Sequence, residues 1–178
     1  MRTKQFITFA MLVMTLTSCM KHASDYVPGY GDAINTWSFT DGKNYYYGNF
    51  ATGAVLHTTP QSNNTYTLEM TGAERATGEI LTLAISLTDP IIHVDSYRSG
   101  INGSDHATSF YYSGSAASRD AIYASTNTNP GAVIEFTVLH YDADKHFATI
   151  AFSGQAYDAT GKLVNISKGK LTTQIEFK

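Results

Sequence analysis

Apolar and polar residues alternate along most of this chain, and this pattern constrains its fold more than any other feature. The alternation is clearest where Leu81, Leu83 and Ile85 are separated by Thr82 and Ala84. It recurs in four other runs, residues 66–70, 134–138, 149–153 and 171–177. Because successive side chains of a strand point to opposite faces, each run predicts a strand with one buried and one wetted face. One wetted face is typical of antiparallel sheets, so we predict an all-β, antiparallel domain.

Turn signals separate these runs and bear on the architecture. Asp41-Gly42 directly follows the alternating residues 37–40 and favours a hairpin. Many short strands with frequent turns are typical of a β-sandwich or a barrel. The strands are unequal in length and the middle of the chain is irregular, which favours two packed sheets. We therefore predict a single two-layer antiparallel β-sandwich over residues 35–178.

The irregular middle, residues 99–129, is rich in Ser, Gly, Asn and Tyr. This composition predicts long loops around one strand at 107–113. The best helical candidate outside the N-terminus is 115–123, which has room for one or two turns, and a loop is the alternative there.

The first 18 residues have the layout of a cleaved, helical export signal. Arg2 and Lys4 precede an uncharged apolar run at 6–17, which is shorter than the roughly 20 residues that a membrane-spanning helix needs. The run ends in Leu-Thr-Ser-Cys at 16–19, which resembles the lipobox of bacterial lipoproteins. The resemblance implies lipid attachment to Cys19 and cleavage before it. The alternative is an ordinary signal peptide followed by a chance cysteine.

Cys19 is the only cysteine of the chain, so the exported domain has no internal disulfide. Residues 19–34 show no apolar periodicity, which predicts a tether. Loss of Arg2 and Lys4 with the signal lowers the 12 Lys and Arg residues to 10 against 15 Asp and Glu, a formal charge of −5. This charge gives no reason to expect a nucleic-acid partner. We expect a bacterial envelope protein held in a membrane by its lipid, and Met20 in place of Asp favours the outer membrane.

The C-terminal run 150–171 contains a hairpin return at Gly161-Lys162, and a last strand follows from Leu171. Together with the start of the domain, 37–45, this run resembles the two ends of a family of uncharacterised small lipoproteins of Bacteroidota. The resemblance implies a β-sandwich domain of unknown function in the envelope. It implies no reaction, cofactor or catalytic residue.

The run 140–146 is the most suggestive polar cluster, because two histidines flank two carboxylates in it. His140, Asp142, Asp144 and His146 would lie near the mouth of a hairpin, and zinc or calcium binds such ligands. The alternative is that Asp-x-Asp caps backbone amides in the turn. We favour the alternative because the spacing fixes no third ligand, and we predict neither a metal nor a cofactor.

Two further His/Asp pairs, His93 with Asp95 and Asp105 with His106, bear on catalysis. A Ser–His–Asp hydrolase needs a nucleophile on a strained turn such as G-x-S-x-G, and the sequence contains none. Phosphate-loop and dinucleotide motifs are absent as well. We therefore predict no catalytic residue and no enzyme activity. The alternative is an envelope hydrolase with a His/Asp site in the 99–129 loops.

Tyrosines offer the remaining candidate for a ligand surface. Tyr45 and Tyr47 share one face of their strand, with Tyr46 on the other face, and Tyr111 and Tyr112 are split likewise. If exposed, the set Tyr45, Tyr47, Tyr111 and Tyr112 would stack on glycan rings or contact an envelope protein. The alternative is an aromatic, half-buried strand. We predict a non-catalytic binding or structural module, with a metal-binding lipoprotein or the hydrolase as alternatives.

Overall fold

The computed structural model describes residues 31–60, 64–75, 77–99, 108–114, 121–126 and 131–178. The signal segment 1–18, Cys19, the pair Asp105 and His106, and most of the predicted tether lie outside these ranges. In the described part of the chain, no helix is long and apolar enough to cross a bilayer.

Ten β-strands run through the described residues, which contain no α-helix, so the all-β prediction is confirmed. The strands are β1 (Thr36–Thr40), β2 (Tyr45–His57), β3 (Tyr66–Glu74), β4 (Ile80–Leu87), β5 (Ser96–Arg98), β6 (Ser109–Ser113), β7 (Ala121–Ser125), β8 (Ile134–Asp142), β9 (Phe147–Asp158) and β10 (Leu163–Phe177). The alternating apolar residues of β4, Leu81 to Leu87, are buried as predicted.

The strands form one sheet that closes into an eight-stranded barrel. Around the barrel the order is β9–β10–β1–β2–β3–β4–β6–β7, and β7 returns to β9 by pairing Tyr123 with Asp158 and Ala124 with Tyr157. β10 also pairs directly with β2, in parallel, over Ile175–Phe177. β8 pairs with β9 further along that strand, and β5 pairs with β8, so these two strands extend the sheet beyond the ring.

The prediction of a two-layer sandwich is therefore wrong. β2, β9 and β10 have 13, 12 and 15 residues, and the register shifts within β1, β2 and β10 as it does at β-bulges. Long strands with bulges coil strongly, so the last strand meets the first two and pairs edges that a sandwich leaves open. Strands of sandwiches and of barrels both alternate between a buried and an exposed face, so alternation does not distinguish the two architectures.

Aromatic side chains fill the inside of the barrel. Trp37, Phe39 and Tyr112 are completely buried, and the rings of Trp37 and Phe39 stack with centroids 5.9 Å apart. Glycines provide the space for the indole, because a Cβ at Gly72 would lie 2.6 Å from Trp37 Nε1 and a Cβ at Gly48 would lie 2.5 Å from the same ring. The barrel is thus a packed core rather than a lumen at this level.

Two local predictions also change. Residues 121–125 form β7 and not the end of a helix, because they complete the ring between β6 and β9; residues 115–120 lie outside the described ranges. Residues 31–34 form turns held on β10 rather than a tether. Thr172 Oγ1 donates to the carbonyl of Gly31 at 2.7 Å, and Lys170 forms an ion pair with Asp32. All ten strands follow Cys19, so the chain after this residue carries the whole barrel.

Three hairpin connections that the structure describes in full or with one residue left out lie at one end of the barrel, which we call the hairpin end. They are 41–44 between β1 and β2, 75–79 between β3 and β4, and 159–162 between β9 and β10. The hairpins predicted at Asp41-Gly42 and Gly161-Lys162 are confirmed by these pairings. Because β10 is antiparallel to β1 and β2 is antiparallel to β3, the three hairpins point in the same direction and their loops lie at one end.

Candidate functional site

Asp41 organises the hairpin end. Its Oδ1 accepts hydrogen bonds from the backbone N–H of Lys43 at 2.7 Å and of Asn44 at 2.6 Å, so the carboxylate folds its own loop. Its Oδ2 accepts the hydroxyl of Tyr123 at 2.7 Å and that of Tyr46 at 3.1 Å. One carboxylate therefore ties the β1–β2 loop to a tyrosine of β2 and to a tyrosine of β7.

The protonation states of this group follow from burial and hydrogen bonding. Burial by itself would raise the pKa of Asp41, but the bonds from Asn44, Tyr123, Lys43 and Tyr46 outweigh it and hold the pKa below its ordinary value. Burial raises the pKa of the Tyr123 hydroxyl, and its bonds to Tyr46 and Asp41 raise it further. Near neutral pH, Asp41 is thus a carboxylate and Tyr123 a neutral donor, which is the pairing that their hydrogen bond requires.

A second carboxylate, that of Glu79, connects a loop of the hairpin end to a tyrosine inside the barrel. Tyr112 Oη donates a hydrogen bond to Glu79 Oε2 at 2.6 Å. Burial is the main cause that raises the pKa of Tyr112, and this hydrogen bond raises it further. The Thr77 hydroxyl lies 2.6 Å from Oε2 of the buried Glu74 and 2.9 Å from Oε2 of Glu79, and its single proton can serve either carboxylate. The β3–β4 loop is therefore anchored to the core through Tyr112, much as the β1–β2 loop is anchored through Tyr46 and Tyr123.

Aromatic contacts join the two anchored loops into one unit. The rings of Tyr46 and Tyr112 lie 5.1 Å apart, and those of Tyr112 and Tyr123 stack at 6.3 Å. We call the set Asp41, Tyr46, Glu79, Tyr112 and Tyr123 the tyrosine–carboxylate network. Because buried polar groups that are fully hydrogen-bonded rigidify their surroundings, this network holds the loops of the hairpin end in one arrangement.

A surface depression of about 390 Å³ opens beside this network, between the β1–β2 and β9–β10 loops. We call it the hairpin-end depression. Its charged lining residues are Asp41, Lys43, Asp158 and Lys162, and its apolar ones include Ile122, Ala159, Leu163 and Val164. Tyr123 connects it to the tyrosine–carboxylate network, since this residue belongs to both.

Asp158 shapes the second loop of the depression. Its Oδ1 accepts the hydroxyl and the N–H of Thr160 at 2.6 and 2.9 Å, and the N–H of Lys162 at 3.0 Å. These bonds, led by the Thr160 hydroxyl, lower the pKa of Asp158. Lys43 and Lys162, by contrast, form no ion pair within the described parts of the chain. The charge of Lys162 also lowers the pKa of Asp158, so the depression carries two aspartates and two lysines whose formal charges cancel.

The four tyrosines considered as a ligand surface do not lie together in the structure. Tyr112 would have to be exposed to serve in such a surface, but it is completely buried, because the face of β6 that carries it lines the barrel. Tyr45 is 6% exposed and donates its hydroxyl to Ser38 Oγ at 3.2 Å. Tyr47 and Tyr111 are half-buried, and β3 and β4 lie between their strands. The four tyrosines thus do not form a single surface.

The candidate metal ligands on the β8–β9 hairpin make contacts with different groups. Asp142 Oδ1 accepts the N–H groups of Asp144 at 3.1 Å and Lys145 at 2.9 Å, which is the capping role that the sequence favoured. The ring of His140 packs against Phe147, and that of His146 packs against a different ring, the one of Phe177. Within the described ranges, no group of three or more His, Cys, Asp or Glu side chains is placed to hold a metal ion.

His93 does not pair with Asp95, its predicted carboxylate. Its Nε2 lies 3.0 Å from Asp89 Oδ1 on an exposed turn, whereas Asp95 accepts the N–H of Ser96. In the described part of the chain, no hydroxyl is hydrogen-bonded to the His93 ring. Asp105 and His106 lie outside the described residues, so the hydrolase alternative that involves them stays a prediction.

The residues of the tyrosine–carboxylate network were not predicted as a site from the sequence. Asp41 was interpreted only as half of a turn dipeptide, and Tyr123 was placed at the end of a helical candidate. Their partnership joins positions 82 residues apart, which no spacing rule detects. The available signal was a turn Asp followed by a Tyr-rich strand, and this combination is common in β-proteins.

Comparisons with known proteins found no relative of this chain. No protein-family model, no curated protein and no solved structure matches it. The geometry of the hairpin end and the N-terminal sequence are therefore the features that bear on its function.

Proposed function

We propose that this protein is a lipid-anchored, non-catalytic binding module of a bacterial envelope, and that its ligand binds in the hairpin-end depression. The observation that carries the proposal is the construction of that depression. The β1–β2 and β9–β10 loops, each folded by hydrogen bonds to an aspartate, present two aspartates and two lysines around the apolar side chains of Ile122, Leu163 and Val164. Concave sites with an apolar lining and a few polar groups are typical of small-ligand binding.

The chemistry of the neighbouring network supports binding rather than catalysis. A general base needs a free lone pair and a pKa near the working pH. Both oxygens of Asp41 already accept hydrogen bonds and its pKa is lowered, while the pKa of Tyr123 is raised. Neither group exchanges a proton readily near neutral pH. Their role in this proposal is to hold the loops in place, which reduces the entropy lost on binding.

The anchor rests on the sequence of the first 19 residues. Lipid on Cys19 would hold the barrel at a bilayer, because two or three acyl chains on one residue give stable attachment. Eleven residues, 20–30, separate Cys19 from the start of the described chain, and they span at most about 40 Å when extended. The barrel would thus work close to the membrane surface.

The anchor is tested by metabolic labelling with an alkyne fatty acid in a bacterial host. We expect label on the wild-type protein and none on Cys19→Ser, since Cys19 is the only thiol of the chain. The conservative Ser18→Ala variant keeps a small residue before the cysteine and should be labelled normally. Equal labelling of wild type and Cys19→Ser would remove the anchor from the proposal.

The binding site is tested on the chain from Met20 onward, which carries all ten strands. A library of lipids, glycans and small metabolites is screened by ¹⁵N–¹H NMR on this protein. We expect ligands to shift the amide signals of 41–44 and 159–163 while the β8–β9 hairpin at 143–146 stays unchanged. Ligand shifts confined to other surfaces, or turnover of any library member, would refute the proposed function.

A further inference from the structure

The outward side chains of β5, β8, β9 and β10 form one continuous face of the barrel. Phe136, Phe152 and Leu171 are buried in the core, so their sequence neighbours point outward. Strand pairing aligns outward residues in two rows, Arg98–Glu135–Ser153 and Ser96–Thr137–Ala151–Lys170. Lys168 lies at the register shift of β10 and lines a surface depression of about 550 Å³ together with Arg98 and Ser153. We call these rows, Lys168 and the turns 31–34 held on β10 the outer wall.

The outer wall differs in charge from the rest of the barrel. Its charged side chains are three cations and two carboxylates, namely Arg98, Lys168, Lys170, Asp32 and Glu135. The other described residues carry five Lys and Arg side chains against ten Asp and Glu. The wall thus has an excess of one positive charge, and the remainder of the described chain has an excess of five negative charges. An anionic surface attracts this wall and repels the remainder.

Lys168 supplies the positive charge that is not balanced within the wall. Arg98 pairs with Glu135 at 2.8 Å and Lys170 pairs with Asp32, whereas Lys168 forms no ion pair with a described residue. The φ of Lys168 is 52°, a conformation that glycine adopts at lower cost. Residues held in such conformations are concentrated at functional positions, which indicates a use for this exposed ammonium group.

The segment that leads to Cys19 begins on the same wall. The carbonyl of Gly31 accepts a hydrogen bond from Thr172 of β10, and Asp32 pairs with Lys170 of that strand. Residues 20–30 connect this point to Cys19 and span at most about 40 Å. Ile34 in the turns is 56% exposed, which adds an apolar side chain to the wall. The strands β3 and β4 lie on the opposite side of the ring from β9 and β10.

Resting on the proposed function and its lipid anchor, we propose that the outer wall is the face on which the barrel contacts a bilayer that contains anionic phospholipid. The ammonium group of Lys168 contacts lipid phosphates, and Ile34 enters the boundary between head groups and acyl chains. The acyl chains on Cys19 supply the affinity, and the charge distribution sets the orientation. One lysine near an anionic membrane changes the balance between two orientations about fivefold. High salt weakens this preference because it screens exposed charges.

The proposal is tested on the lipidated protein in vesicles of phosphatidylcholine with and without phosphatidylglycerol. An environment-sensitive fluorophore is attached to Ser153→Cys in the outer wall or to Thr71→Cys, an exposed position of β3. Each new cysteine is the only free thiol, because Cys19 carries the lipid. A spin-labelled lipid head group quenches a fluorophore that faces the bilayer. With phosphatidylglycerol we expect at least fivefold stronger quenching at 153 than at 71, and a smaller difference without it or at high salt.

A charge-reversal variant with a matched control tests the role of Lys168. Lys168→Glu reverses the net charge of the wall, and we expect it to reduce the preference for quenching at 153 at least fivefold. Lys178→Glu makes the same change at an exposed lysine whose backbone is bonded to β2, and it should leave the quenching unchanged. Circular dichroism and urea unfolding check that both variants are folded.

The outcomes separate this inference from the function on which it rests. Equal quenching at 153 and 71, or stronger quenching at 71, refutes the outer wall as the contact face while the anchor holds. Unchanged quenching in Lys168→Glu, or without phosphatidylglycerol, refutes the role of charge. A protein dimer that shields 153 in the absence of lipid would assign the wall to a second copy and refute the bilayer. If Cys19 carries no lipid, the anchor of the proposed function fails and this inference fails with it.

Discussion

At the scale of single residues, Asp41 shows how a turn residue acquires a second role. Its carboxylate accepts five hydrogen bonds, from two backbone N–H groups, the Asn44 amide and the hydroxyls of Tyr46 and Tyr123. The two backbone bonds are the ordinary contacts of a turn aspartate. The tyrosine bonds connect the same group to β2 and β7, and this makes the loop geometry dependent on barrel closure.

Tyr123→Phe removes the 2.7 Å bond to Asp41 and tests this connection. We expect the pKa of Asp41 to rise towards its ordinary value and the free energy of unfolding to fall by about 1 kcal/mol near neutral pH. The bond favours the charged carboxylate, so its contribution is present above the unfolded pKa and is lost as pH falls through the lower folded pKa. Urea unfolding near neutral pH and below about pH 3 should show the difference from wild type disappearing in acid.

Tyr141→Phe is the control for that measurement. Burial raises the pKa of Tyr141, but the described residues offer its hydroxyl no hydrogen bond. We expect its unfolding free energy and the pKa of Asp41 to match wild type. A Tyr123→Phe protein whose stability deficit is the same in acid and at neutral pH would contradict the ionic character of the bond.

At the scale of elements, the long strands depend on irregular positions to bend around the barrel. The register of β10 against β9 shifts between Ile166 and Gly169, and Lys168 at this shift has a φ of 52°. A left-handed backbone is unusual for lysine and costs about 1 kcal/mol. Gly169 follows because a Cβ there would lie 2.3 Å from the carbonyl oxygen of Phe152. β10 pairs with β9 on both sides of this bend, over 163–166 and 169–174, and its last residues then reach β2.

Lys168→Gly tests whether the bend is strained. We expect this variant to raise the free energy of unfolding by up to about 1 kcal/mol, because glycine adopts positive φ without a Cβ penalty. Lys145→Gly changes an exposed lysine whose φ is not positive and should instead lower stability by about 0.5–1 kcal/mol. Urea unfolding of both variants provides the comparison, and destabilisation by Lys168→Gly would show that the bend carries no strain.

At the scale of the whole molecule, the end of β10 adds a direct pairing to β2 beside the ring contacts that β1 provides. Ile175, Glu176 and Phe177 pair in parallel with Ala54, Val55 and Leu56. Beyond them, the N–H of Lys178 donates to Leu56 and its carbonyl accepts from Thr58. The C-terminus therefore joins strands that are more than a hundred positions apart, and such contacts form late in folding because the loop that they close is long.

Deletion of residues 175–178 removes this seam. We expect a loss of more than about 3 kcal/mol of stability or of cooperative unfolding, since the buried Ile175 is lost together with its pairing to β2. The milder Ile175→Ala keeps the backbone and should cost about 2–4 kcal/mol. Lys178→Ala keeps all backbone bonds and is the control. A truncated protein that unfolds at the wild-type urea midpoint would show that the seam is dispensable.

The sequence predicted the elements much better than their arrangement. The alternation of Leu81, Leu83 and Ile85 identified β4, and Asp41-Gly42 identified the first hairpin, because both signals are local. The helical candidate 115–123 was wrong at 121–123, because these residues belong to β7, which pairs with β6 and β9. Tertiary pairing outweighs local preference in such short segments.

For the candidate site, too, the sequence predicted local contacts and did not predict contacts between distant residues. The turn role of Asp142 was favoured from its spacing, and its carboxylate does accept the local N–H groups of Asp144 and Lys145. Whether Tyr112 is exposed or buried was left open, because alternation tells which residues share a face and does not tell which face is buried. The bond between Asp41 and Tyr123 was beyond prediction, as it exists only once β7 has been placed beside the β1–β2 loop.

By itself, the sequence determined that this protein is built from antiparallel strands and where several of its hairpins turn, since periodicity and turn chemistry act between near neighbours. It also carries the signal for an anchor at Cys19, which stays a prediction. Only the tertiary structure decided that the sheet closes into a barrel, that Tyr112 lies inside it, and that two lysines border one depression. These features depend on strand coiling and on contacts between distant residues, which local patterns do not encode.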